Sequence, residues 1–474
     1  MQKNLRIGVL VIAVGVLLLA GCMNQEEGTV QQPGAEIPEE EPEQIPEGKA
    51  TISYYNINVT PSLKDRTLSV TAELIIDIPP GVSIITFSLD AGLYVSKITD
   101  ETGSELTFYR ESNLVKVEVP SSAEKTLVFF YKGAVYRRVR GYTWNYVGEE
   151  GCWVSRYNWY PLVATFTEEG YQIYYTWDTS TWAGVTIAVE VPESWTVISS
   201  GELISKEPHE TSTIWVHEEK RPLPFVSFAA GEFHVTTTEW EGKEIVWCLT
   251  EHRDDAQKYT DLTQEILAFY TEKFGEYPFS RLSFVELPES YGLTEAKPWF
   301  GMLNSTFLEG EDQEISHILG QIIATQWWPF TVWGNDAPSY YTFSVSLPQY
   351  ASLLFIKETY GKDTFCDMLS DLRTEVEEAF AQHKSASMTD VGNLNPDLNQ
   401  AVTLKTLLMF HALKEEMGDD SFFAALKEVF AQHKHTGITI ETLIEALQQK
   451  SEGNINLLFQ KYYYGTEIPP IECD

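Results

Sequence analysis

Positive charge is in short supply in this chain: 33 Lys and Arg stand against 69 Asp and Glu, a formal net charge of −36. Such a surface repels phosphate backbones, which excludes nucleic acid as a partner, and an anionic bilayer would not attract it either. Cysteine is sparse too, with five in 474 residues. Cys152, Cys248, Cys366 and Cys473 follow no zinc-finger spacing, and an extracytoplasmic location would permit any of their three disulfide connectivities. No His-Glu-x-x-His occurs in either direction, no Gly-x-Ser-x-Gly elbow and no internal repeat. Among the nine histidines the one close pair, His433 and His435, reads as a solvated helix end.

The N-terminus is built differently from the rest. Lys3 and Arg6 precede an apolar run from Ile7 to Leu19, and Ala20-Gly21-Cys22 follows. A charged start, an apolar middle and small residues before a cut are the parts of a secretory signal. The run is shorter than the roughly 18–20 residues that span a bilayer, which counts against a plain transmembrane anchor. The cysteine directly after Ala-Gly resembles a lipoprotein signal, which implies residues 1–22 as signal peptide, Cys22 as the acylated mature N-terminus, and the outer face of the cell membrane as the location. Residues 23–49 are rich in Glu and Pro. They bury too little apolar surface to offset ordering entropy and should form an extended, acidic stalk.

The body divides by periodicity into an α+β chain. Residues 50–235 read as short alternating strands, among them Thr51–Val59, Leu68–Leu74, Thr126–Tyr131 and Val185–Val191, separated by turn signals such as Pro79-Pro80-Gly81 and Ser200-Gly201-Glu202. That pattern predicts an antiparallel β sandwich or saddle. Residues 236–474 read as mostly helical, with helices expected over Asp254–Phe274, Glu311–Trp328, Ala351–Tyr360, Phe365–His383, Ala401–Met417, Ser421–Gln432 and Thr439–Gln449, and a strand at Leu282–Leu287.

Several short motifs, in order, resemble the M1 aminopeptidase (gluzincin) family. Leu319-Gly320-Gln321-Ile322-Ile323-Ala324-Thr325-Gln326-Trp327-Trp328 resembles its zinc helix, with Gln326-Trp327-Trp328 fixing the register. Phe274-Gly275-Glu276-Tyr277-Pro278-Phe279 resembles the approach to its active-site sheet, and Gly292-Leu293-Thr294-Glu295-Ala296 its Gly-Ala-Met-Glu-Asn strand. Leu347-Pro348-Gln349-Tyr350, Lys405 and Leu458–Gly465 match later motifs, and Trp159-Tyr160-Pro161 and Ser200-Gly201-Glu202 match the family's saddle domain. The resemblance covers residues 50–470 and implies a saddle followed by a thermolysin-like, α-rich domain.

It also implies a set of seats, and the residues in them differ from those of an active peptidase. Two histidines at i and i+4 share a helix face and hold zinc, with a glutamate between them as base. Here Gln321 and Thr325 take the histidine positions and Ile322 that of the base. The place of the third ligand, a glutamate, falls at Ser344 or Val345, and the oxyanion tyrosine's place at Thr403. Amide and hydroxyl groups are poor zinc ligands beside imidazole, and an alkyl side chain takes no proton. His317 lies on the same helix face as Gln321 and Thr325, which leaves open a displaced metal site against an ordinary polar face.

Glu295, with Gly292, matches the motif that grips a peptide's free amino terminus, so Glu295 is either such a grip or a solvated loop residue. Trp327 and Trp328 read as core; Trp299 fits either core or cleft. The expectation is a membrane-anchored lipoprotein with an M1-like fold that binds a peptide or a membrane partner protein without cleaving it and needs no cofactor. The alternatives are an active hydrolase with displaced zinc, and a structural subunit of a membrane transport complex.

Overall fold

The computed structural model describes residues 50–119, 124–135, 137–139, 142–155, 158–167, 170–172, 182–292 and 294–471. The proposed signal and stalk, Cys22, Leu293 and Cys473 lie outside them. No helix among the described residues is long and apolar enough to cross a membrane.

The alternating runs become strands of one large sheet. Its order is Glu202–His209, Ser212–Leu223, Ala183–Pro192, Thr51–Ser62, Thr67–Asp77, Glu124–Gly133 and Leu93–Thr99. In Thr67–Asp77 every second side chain, from Leu68 to Ile76, is buried, as period-2 patterning requires of a sheet with one face in the core. The pairs are antiparallel except at the centre, where Thr51–Ser62 runs parallel to Ala183–Pro192. A parallel neighbour needs a long crossover, and the intervening chain supplies it while adding strands to this sheet and to further sheets.

One of these sheets has four strands, running Leu162–Val163, Ile84–Ser88, Leu114–Glu118, Phe108–Glu111. Another has five and contains Thr196–Ser199, Phe228–Gly231 and Gly151–Val154. Trp159-Tyr160-Pro161 is the knot among them. Tyr55 donates to the Pro161 carbonyl at 3.0 Å, Tyr131 to that of Trp159 at 3.1 Å, and Trp159 Nε1 to that of Val226 at 2.9 Å. The motif is structural: its own polar groups and those of the surrounding tyrosines are satisfied in an apolar core.

The second half starts from a five-stranded sheet ordered His234–Trp240, Lys243–Leu249, Arg281–Leu287, Phe300–Asn304, Glu295–Lys297. Every residue of Arg281–Leu287 is buried. One face of this sheet carries Trp247, Leu282 and Phe284 into the helical core. The other presents Val246, Cys248, Val285, Phe300 and Met302 to Trp153, Ile198 and Ala229 of the first domain. Burial on both faces takes the polar side chains of this strand out of water too: Arg281, Ser283 and Glu286 are all buried with the apolar ones.

The helices form at Ala256–Phe274, Asp312–Ala324, Leu347–Tyr360, Lys362–Gln382, Pro396–Met417, Asp419–His433, Ile440–Lys450 and Ile455–Tyr462. The second of them ends at Ala324, not at Trp328 as its periodicity predicts. Pro329 has no N–H for the Thr325 carbonyl, which instead accepts from Phe330 at 3.1 Å. A π-helical stretch, Thr342–Ser346, joins a short helix Ala337–Tyr341 to Leu347–Tyr360 and was not legible in the apolar pattern.

Gly201 seats one domain on the other. Its φ is +99°, and a Cβ there would stand 2.5 Å from the Glu218 carbonyl oxygen. The residue is free of that penalty as glycine, and its carbonyl accepts from Arg281 Nη2 at 3.0 Å. His217 lies one strand away, fully buried, with no hydrogen-bond partner on either ring nitrogen among the described residues. Burial, and secondarily the Arg281 guanidinium, hold its pKa down to about 3.

An unfolded imidazole takes its proton near pH 6.5. His217 therefore leaves stability intact above that pH and drains it as pH falls toward 3. Replacing it by leucine is expected to flatten the acid limb by up to about 1.4 kcal/mol per pH unit, measured as urea-unfolding free energies of both proteins between pH 7 and 4.5.

Candidate functional site

The helix Asp312–Ala324 packs one face on the five-stranded sheet and the other on Leu347–Tyr360. Ile322, in the seat of the base, is fully buried against the sheet. Gly301 makes room for it: a Cβ there would come within 3.0 Å of both Ile322 Cγ2 and the Phe284 ring. Gln321 is 1% exposed, and its Nε2 donates to His317 Nε2 at 2.7 Å. His317 Nδ1 meets Ser352 Oγ at 2.9 Å, and that hydroxyl donates to the His317 carbonyl at 2.7 Å. Burial brings the His317 pKa down to about 4. A neutral ring with its proton on Nδ1 satisfies every one of these bonds.

The remaining seats are also turned inward. Thr325 Oγ1 donates to the Ile322 carbonyl at 2.6 Å, Ser344 Oγ to that of Tyr340 at 2.6 Å, and Thr403 Oγ1 to that of Gln400 at 2.8 Å. Val345 packs in the helical core. Ser346 Oγ reaches the Thr403 carbonyl at 2.8 Å, so the third-ligand and oxyanion seats lie on touching elements. No side-chain hydrogen bond among the described residues joins Gln321, Thr325, Ser344 and Thr403 to one another. Nor do any three His, Cys, Asp or Glu side chains among the described residues converge as metal ligands would. One half-buried imidazole with both nitrogens engaged, an amide and two back-bonded hydroxyls do not fit a zinc ion.

Gln326 and Trp299 explain each other. The hairpin between Glu295–Lys297 and Phe300–Asn304 turns through Pro298 and Trp299, and Trp299 has φ +79°, a position that favours glycine. Gln326 Oε1 accepts from the Trp299 backbone N–H at 2.9 Å, while its Nε2 donates to the Lys297 carbonyl at 3.1 Å. The indole N–H of Trp299 donates to Glu219 Oε2 at 2.9 Å. Glu219, nearly fully buried, also takes the Arg221 guanidinium, which lies over the Phe279 and Trp299 rings. Trp299 is thus a junction residue, and Trp327 and Trp328 are core.

Glu295 occupies the edge strand Glu295–Lys297 and is fully buried, with Gly292 half-buried in the loop before it. Its Oε2 accepts from Tyr291 Oη at 2.5 Å and stands 3.3 Å from Lys297 Nζ. Lys297, 1% exposed, also donates to the Ser155 carbonyl at 2.8 Å and lies 5.0 Å from the Phe225 ring centroid. A solvated loop glutamate is therefore not what stands at this position. Sequence reasoning missed Lys297, although its i+2 spacing on a strand puts it on the same face as Glu295.

Two distant motifs meet at Lys405, whose Nζ donates to the carbonyls of Ala386 at 3.0 Å and Gly465 at 2.6 Å. Burial lowers its pKa to about 8. Cys366 is disulfide-bonded, whereas Cys152 and Cys248 are free and buried. The partner of Cys366 lies outside the described residues.

A saddle of several sheets, followed by a mixed sheet covered by helices, is the architecture of the two-domain M1 metallopeptidases. The M1 zinc metallopeptidase from Deinococcus radiodurans superposes with a TM-score of 0.67 at 16% identity, covering 89% of this chain and 95% of that one. A mutant of that protein bound to a Tyr-Ser-Ala substrate gives 0.66 at 16% identity over 89% and 95%. A two-domain M1 mutant bound to L-tryptophan gives 0.65 at 15% identity over 89% and 96%. Neither a family model nor a curated protein sequence matches the chain.

Placing a glutamate at position 322 should harm this protein. Ile322→Glu places an unpaired carboxylate against Gly301 and Phe284 and is expected to cost about 3–5 kcal/mol, read as the shift in the urea midpoint. A variant as stable as the parent would show that this seat opens to water.

Proposed function

We propose that this chain is an extracytoplasmic lipoprotein, acylated at Cys22, that uses an M1-like fold for binding rather than for cleavage. The observation that carries the reading is the content of the seats: Gln321, Ile322, Thr325, Ser344, Val345 and Thr403 offer neither a zinc ligand set nor a base, and their hydroxyls and the Gln321 amide nitrogen are bonded within the fold. Fold alone does not bring activity with it when the reacting groups are absent. The ligand is a peptide whose amino terminus meets Glu295, or a membrane partner protein on the saddle.

Two observations favour the partner protein. Glu295 already faces an ammonium of its own chain. On the outer face of the seven-stranded sheet, Asn58, Thr60, Thr71, Tyr94, Phe130 and Lys132 line an open depression of about 280 Å³.

Two measurements test the proposal. Full-length protein extracted in detergent is expected to carry less than one-tenth of an equivalent of zinc and to leave aminoacyl chromogenic substrates intact. One equivalent of zinc, with turnover lost to a chelator, would sink the non-catalytic reading in favour of displaced metal. Cys22→Ser is expected to abolish incorporation of a labelled fatty acid and to move the protein out of the membrane fraction; unchanged fractionation would count against the lipid anchor.

A further inference from the structure

The surroundings of Lys297 form a complete receptor for a primary ammonium. A carboxylate oxygen of Glu295 stands at 3.3 Å, the Ser155 carbonyl accepts at 2.8 Å, and the face of Phe225 lies at 5.0 Å. The Tyr291 hydroxyl donates to the same carboxylate oxygen at 2.5 Å, fixing its position. An anion, a neutral acceptor and an aromatic face are the three kinds of group that recognise an alkylammonium when water is excluded. Glu295, Tyr291 and Lys297 come from the second domain, Ser155 and Phe225 from the first. Glu295 and Lys297 are each no more than 1% exposed.

We propose that this is an ammonium-binding site for which the chain supplies its own ligand, Lys297 standing where the amino group of a bound amine or peptide would stand. The ammonium closes the site from within and ties the domains together, because its carboxylate and its carbonyl partners belong to different domains. A peptide amino terminus gains Glu295 only by displacing Lys297. This inference rests on the junction geometry and not on whether the chain cleaves peptides.

Truncation to alanine tests it, since Lys297→Ala removes a segment of the size of n-propylamine. In the full-length protein this variant is expected to unfold roughly 10 °C lower, because Glu295 is left buried without its cation. Added n-propylammonium chloride at tens of millimolar should recover a large part of that loss by mass action. It should leave the parent and the double variant Lys297→Ala/Glu295→Gln unchanged, and n-propanol or sodium chloride should do nothing in any of them.

If Lys297→Ala does not fold alone, refolding in the presence of n-propylammonium but not n-propanol supports the site. Equal responses to amine and alcohol, or the same amine response in the parent, overturn it. So does a Lys297→Met variant that unfolds at the parent's temperature, since a receptor built for charge cannot take a neutral thioether without loss. Zinc content and hydrolysis of the parent are read separately, so failure here leaves the non-catalytic reading standing.

Discussion

Two carboxylates, Glu219 and Glu295, are withdrawn from water where the domains meet, and a cation of the same chain stands beside each. An isolated buried charge is among the costliest features a fold can hold, and a paired one becomes tolerable only with further hydrogen bonds. Trp299 and Tyr291 provide those bonds. The positions of Arg221 and Lys297 follow, and with them the Lys297–Phe300 turn and the approach of Ser155 and Phe225. Gln326, at the end of the helix Asp312–Ala324, holds the same turn from the other side. The helix that resembles a zinc helix is therefore fastened to the junction by a glutamine.

The same closure shapes the seats beside it. The five-stranded sheet is covered on both faces, so what projects from it toward the helix has to be apolar or bonded internally. Ile322 meets this demand by packing, Gln321 by its bond to His317, Thr325 by bonding back along its own helix. Each of these three side chains suits a dry interior. A glutamate at 322 would have to complete its bonds where Ile322 now packs against Gly301 and Phe284.

The sequence was most legible where local periodicity and burial agree. Thr51–Ser62 and Thr67–Asp77 alternate because one face meets the core, and Ala256–Phe274 ends where its spacing ends, at Gly275. The helix expected to reach Trp328 stops at Ala324 because Pro329 interrupts the backbone ladder, a local signal that the apolar period masks. It was least legible where a remote contact decides the outcome. The parallel pairing of Thr51–Ser62 with Ala183–Pro192 leaves no mark on either strand alone. Of the site, the identities at 321, 322 and 325 could be read directly, whereas the partners of Lys297 and Trp299, Ser155 and Glu219, lie 142 and 80 positions away in the chain.

By itself the amino-acid sequence determined which chemistry the chain carries: a large negative charge, a β-rich half before an α-rich half, and side chains without imidazole or carboxylate at positions 321, 322 and 325. These are properties of residue types and of periods two and 3.6, and no folding is needed to read them. Only the tertiary structure decided that Glu295 faces Lys297 and not solvent, that Glu219 binds both Arg221 and Trp299, and that Lys405 joins two distant motifs. Those outcomes depend on which charges are buried together, and burial is a property of the packed chain rather than of any segment of it.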